Sequence, residues 1–135
     1  MSSMDPVRRF LGQRGSAEHV VAAGIEGLVA DWEETVAQIE AGYVLGLDDY
    51  LNDMDGRQLL AEALPLAPAA ERLHAQARVS QADARVRAHL RPLRECLWGE
   101  RVAATEGWRP DTNWWYFTAP EAPGPGLQGE LKKRH

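Results

Sequence analysis

The sequence predicts an all-α protein: a small helical bundle of two long antiparallel helices, a bent pair of short helices between them, and an aromatic C-terminal segment packed back on the helices. Three observations predict it. Apolar residues recur at steps of three and four through residues 16–43 and again from Pro68 onward, the spacing of one helix face. The only strand-like alternation is the short run Trp114–Phe117, which has no evident partner strand. A chain of 135 residues is one domain's worth and can bury a core without disulfides or metal. The expected organisation is a single helical domain over residues 1–119, followed by a flexible Pro/Gly-rich tail over 120–135.

In chain order, Asp5, Pro6 and the run VRRFL predict a short leading helix ending near Gly12 or Gly15, with Phe10 and Leu11 turned to the body. Ser16 is placed to cap a long helix whose apolar stripe is Val21, Ile25, Leu28, Trp32, Val36, Ile39 and Tyr43. Its opposite face carries Glu26, Asp31, Glu33, Glu34 and Glu40 with no basic residue. Gly24 and Gly27 lower its helix propensity but permit close approach of another helix.

The next stretch, Tyr43–Leu64, changes apolar phase. Leu47, Tyr50, Leu51 and Met54 share a face that Leu59 and Leu60 leave. A break near Gly56 resolves the conflict, with Asp48 capping a first short helix and Asp55 with Gln58 forming a capping box for a second. Asp53, Asp55 and Glu62 also fall at calcium-loop spacing around Gly56, but Leu51 occupies the first ligand position, so helix caps at a solvated corner are the expected reading.

Beyond Pro65 and Pro68, a second long helix is expected through Leu73, Ala77, Val86, Leu90, Leu93 and Leu97, kinked around Ala88–Arg91 by Pro92. Unkinked, it would run about 45 Å, so a kink or a homodimer is needed to accommodate it. Arg87, Arg91, Arg94 and Arg101 would line one column of that helix beside Trp98. The aromatic run after Trp108 is expected to lie across the helices as a lid, or else to offer a binding platform.

Composition limits the function. Net charge is −5, and residues 16–64 hold eleven acids against one basic residue, Arg57, while residues 65–101 hold seven arginines against four acids. The halves are expected to pack with complementary fields, and a negative chain disfavours nucleic acid as a partner. Cys96 is the single cysteine, and no apolar run approaches membrane-spanning length, so the default expectation is a cytoplasmic protein with no membrane partner. Lysine is confined to Lys132 and Lys133, and neither phosphate-cradle nor nucleophile signatures occur. Glu71 and His74 form one E-x-x-H, where a di-iron carboxylate bundle needs two.

No catalytic residue and no cofactor is assigned, and a non-enzymatic role is favoured. The leading expectation is an acidic interaction module, inhibitor, immunity or antitoxin-like, that meets a basic protein or domain through Glu33, Glu34, Asp48, Asp49 and Asp53, anchored by Tyr50 and Trp115. The alternative is a small-molecule or metal-binding bundle, catalytic or not, with Trp108, Trp114 and Tyr116 as walls, Arg91 and Arg94 as further ligand-binding residues, and Glu71 and His74 as the metal pair.

Overall fold

The computed structural model describes residues 5–133. The elements are α1 (Pro6–Gln13), α2 (Glu18–Glu40), α3 (Leu47–Ala63), a 3-10 turn at Leu64–Leu66, α4 (Ala69–Arg87), β1 (Leu90–Pro92), α5 (Glu100–Glu106), a second 3-10 turn at Trp114–Phe117, β2 (Thr118–Pro120) and α6 (Pro125–Lys132). The all-α class is as the sequence predicts. Asp5 caps α1 by accepting from the backbone N–H of Val7 and Arg8, with Pro6 in the first turn. The α2 stripe buries Leu28, Trp32, Val36 and Ile39, and Tyr43 just beyond it. Its N-cap is Ala17, one residue past the expected Ser16, and supplies no side-chain hydrogen bond. Gly24 interrupts α2 at φ 62° and ψ −149°, a conformation glycine adopts without Cβ strain. Arg8 Nε donates to the Ala22 carbonyl just ahead of that break.

α3 is one helix, which overturns the bent pair. Gly56 sits inside it, Asp48 lies in its first turn rather than at a cap, and Asp55 caps nothing. The apolar phase does not change: its buried positions run Tyr50, Leu51, Met54, Arg57, Leu60, Ala63, and the continuity was hidden because the position between Met54 and Leu60 holds an arginine. The Asp53–Glu62 stretch is therefore helical, not a loop.

The long helices also run otherwise than expected. Tyr43 meets Asp53 and Trp32 meets Arg57 across α2 and α3, whereas Arg57 meets Asp83 and the Pro65 carbonyl meets Arg72 across α3 and α4. α3 is thus antiparallel to both neighbours. α2 and α4 point the same way, as the advance from Glu33–Arg78 to Glu40–Arg85 confirms.

α4 does not kink at Pro92 but ends at Arg87. Pro92 has no N–H to give a helical ladder, and Arg91 before it is pushed toward extended backbone. The freed segment pairs antiparallel with β2 in the register Leu90↔Pro120, Arg91↔Ala119, Pro92↔Thr118. The column of Arg87, Arg91, Arg94 and Arg101 is dissolved, since these residues now fall on α4, β1, a turn and α5. The aromatic run Trp114–Phe117, expected as an extended segment or short turn laid across the helices, is a 3-10 turn, and that tighter coil lets Trp114, Trp115 and Tyr116 all be buried. The stretch expected to be a flexible tail forms α6, which buries Leu127 and Leu131 and leaves its glycines on open surface.

Candidate functional site

α3 carries the polar centre of the molecule, and every turn of it reaches a different element. Asp53 accepts from Tyr43 Oη at 2.6 Å. Asp55 Oδ1 accepts from Tyr116 Oη at 2.6 Å and from Trp98 Nε1 at 2.9 Å, tying the aromatic segment to the helix. Gln58 accepts from Asn113 Nδ2 at 2.9 Å. Glu62 pairs with Arg14, the residue that closes the end of α1.

Arg57 is the centre of this arrangement. It is 7% exposed and lies between tryptophans, 4.2 Å from the ring centre of Trp115, 5.6 Å from Trp32 and 5.8 Å from Trp114. Its Nε and Nη2 donate to the two oxygens of Asp83 at 3.2 and 2.8 Å, and Asp83 Oδ1 also accepts from Trp32 Nε1 at 2.9 Å. A charge at this depth is tolerated because the bidentate carboxylate neutralises it and the ring faces attract it.

Arg57 also forms the common wall of two clefts. The first, about 250 Å³ between α2 and α3, is acidic, lined by Asp31, Glu34, Gln38, Asn52 and Asp53. Burial holds the Asp53 carboxyl above the ordinary aspartate value; the Tyr43 hydrogen bond opposes this, and the charges of Asp49 and Asp31 add to it. The second cleft, about 660 Å³ between α3, α4 and the aromatic turn, is lined by Arg57, Arg72, Arg87, Trp114 and Trp115 among others.

The carboxylates assigned to a partner surface separate into classes. Glu33 is taken by Arg78, whose hydrogen bond holds its carboxyl below the usual value, and Glu26 and Glu40 of the same helix are answered by Arg78 and Arg85. The complementary packing of the two halves is thus realised through Arg78 and Arg85 of α4. Glu34, Asp48 and Asp49 are exposed, Asp53 is half-buried, and among the described residues none of the four has a cationic partner. Tyr50 and Trp115 are buried, so neither can anchor a partner from the surface. Burial pushes the Tyr50 hydroxyl well above its ordinary value, and that hydroxyl and Trp115 Nε1 find no hydrogen-bond partner among the described residues.

The residues of the alternative reading are likewise dispersed. Trp108 stacks on Tyr116 with centroids 3.9 Å apart and lines a third cleft, of about 480 Å³, with Asp55 and Glu62. Trp114 belongs to the arginine cleft, Arg91 to a small hollow beside α6, and Arg94 is exposed in the turn after β1. Glu71 and His74 are exposed near the start of α4, and among the described residues no group of three or more His, Cys, Asp or Glu side chains is placed to hold a metal ion. Sequence reasoning missed Arg57, Asp83, Arg72 and Arg87 as a group. One signal was available: Arg57 is the only basic residue in the acidic stretch, and it stands midway between Met54 and Leu60 on the buried face. No helix is long and apolar enough to cross a membrane among the described residues. No family model matches the chain, and comparison with curated proteins and with solved structures finds no match.

Proposed function

We propose that this protein is a non-enzymatic interaction module, inhibitor, immunity or antitoxin-like, whose α2–α3 surface captures a basic partner protein. The observation that carries the reading is selective neutralisation. The acids of α2 that face α4 each meet an arginine, whereas Asp31, Glu34, Asp48, Asp49 and Asp53 meet none among the described residues. Mutual repulsion among these five costs stability that the fold does not recover internally. A basic partner would recover it on binding.

Apolar anchors adjoin the acids. Val44 is 84% exposed and Leu45 40% exposed in the loop leading into Asp48 and Asp49. Buried apolar contact sets how long a complex lasts, while surrounding charge sets how fast it forms. Val44 and Leu45 replace Tyr50 and Trp115 in that role.

The test is the triple charge reversal Glu34→Lys, Asp48→Lys, Asp49→Lys, which leaves every ion pair with α4 intact. The expected outcome is an unchanged helical circular dichroism spectrum, with loss of a basic protein that the parent captures and that mass spectrometry identifies. The association rate of that protein with the parent should fall steeply with salt, because surface charges are screened beyond about 10 Å at 0.1 M. Undiminished capture by the folded triple variant would end the proposal.

A further inference from the structure

The cleft on the far side of Arg57 has the opposite chemistry. Among its lining residues, Arg57 is neutralised by Asp83 behind the wall, and the one acid, Asp111, lies 3.6 Å from Arg109. That leaves Arg72 and Arg87, neither of which has a carboxylate partner among the described residues. Both are held in place by neutral groups. Arg72 Nη1 donates to the Pro65 and Ala67 carbonyls, and the Arg87 guanidinium lies 4.8 Å from the ring centre of Trp114. Both guanidiniums are exposed at the cleft, so in a chain of net charge −5 they present positive charge to a ligand there.

The rest of the lining says what kind. Leu64, Pro65, Val79 and the two tryptophans are apolar, and the volume of about 660 Å³ falls within the usual range of small-molecule sites. Trp115 is part of the same wall, and its buried indole N–H has no acceptor among the described residues. We infer that this cleft binds a small organic anion: a phosphate or carboxylate held between Arg72 and Arg87, carried on a flat apolar body lying against Leu64, Pro65 and Val79. The inference is independent of the acidic surface, which lies across Arg57 on the other side of α3.

The experiment titrates the full chain with phenyl phosphate and with benzoate, and with inorganic phosphate and phenol as controls. Tryptophan fluorescence and the indole N–H resonances of Trp114 and Trp115 report occupancy. Saturable binding of at least one aryl anion is expected, tighter than inorganic phosphate, with no saturation by phenol. Preference between the two aryl anions then identifies the headgroup. Arg72→Gln and Arg87→Gln should each weaken binding about tenfold, the scale of one charge-assisted contact, while Arg94→Gln, away from the cleft, should not. Should Arg87→Gln fail to fold, Arg72→Gln decides, since its side chain touches only two carbonyls. No saturation by either aryl anion would overturn the inference, as would binding that Arg94→Gln weakens as much as Arg72→Gln.

Discussion

On one side of α2, Glu26, Glu33 and Glu40 recur at heptad spacing and meet Arg78 and Arg85, which recur at the same spacing on α4. On the other side, Asp31 and Glu34 face Asp53 of α3 across a cleft and have no ion-pair partner among the described residues. The same helix therefore presents a face whose charge is spent on the fold and another whose charge is left over. Composition alone shows only the total. The difference teaches that an acidic helix has to be assigned face by face before its charge can be read as function.

Three perturbations would break or sharpen this contrast. The largest effect should come from the deepest of the neutralised charges. Arg57→Ala or Asp83→Ala strands the other partner in a tryptophan cage and should cost about 3 to 5 kcal/mol in urea unfolding. Arg57→Met with Asp83→Leu should cost far less than either single change, because no charge is left behind. Equal losses for the single and double variants would show that the pair acts only through packing.

Next is Asp55, an acid of α3 whose partners are a hydroxyl and an indole rather than a cation. Asp55→Ala leaves the buried Tyr116 hydroxyl without its acceptor and should cost about 1 to 3 kcal/mol. It should also lower the pH at which Tyr116 ionises, which burial and the Asp55 hydrogen bond hold far above the ordinary tyrosine value. Ultraviolet titration of the tyrosines checks that part.

The smallest effects oppose each other in sign. Glu33 titrates below its ordinary value of 4.5, chiefly through the Arg78 hydrogen bond, so its contribution is present above that pH and lost as pH falls through the lower folded value. Asp53 titrates above its ordinary value of 3.8, so the folded state holds its proton longer. Its contribution is then greatest at low pH, and stability declines as pH rises from 3.8 through the raised value. Glu33→Gln should flatten the first limb and Asp53→Asn the second, each by less than about 1 kcal/mol for groups this near the surface. Identical pH profiles for the two variants would erase the distinction between the faces.

The parts of the fold written in local signals were legible in the sequence. The Asp5–Pro6 start of α1, the apolar stripe of α2 and the start of α4 after Pro68 all rest on caps, periodicity and proline. What was not legible depended on distant partners. Arg57 reads as a break in the apolar phase until Asp83 and three tryptophans are brought around it. Pro92 reads as a kink until β2 offers its segment another ladder. The candidate site shares this property: α3 was recognisable as the stretch around which the chain is organised, but the reason lies in contacts from α1, α2, α4, the aromatic turn and α6, not in its own caps.

Gly46, the N-cap of α3, has no side chain to offer, and the Glu130 carboxylate from α6 takes its place by accepting from the Leu47 backbone N–H at 3.3 Å. The two residues are 83 apart in sequence. A cap supplied from so far away cannot help nucleate α3, because closing a loop that long costs entropy before the bond returns anything. Glu130→Gln is therefore expected to speed unfolding and leave the folding rate little changed in stopped-flow measurements. In kinetic terms, the helix that holds the molecule together is latched by α6, the last element of the described chain.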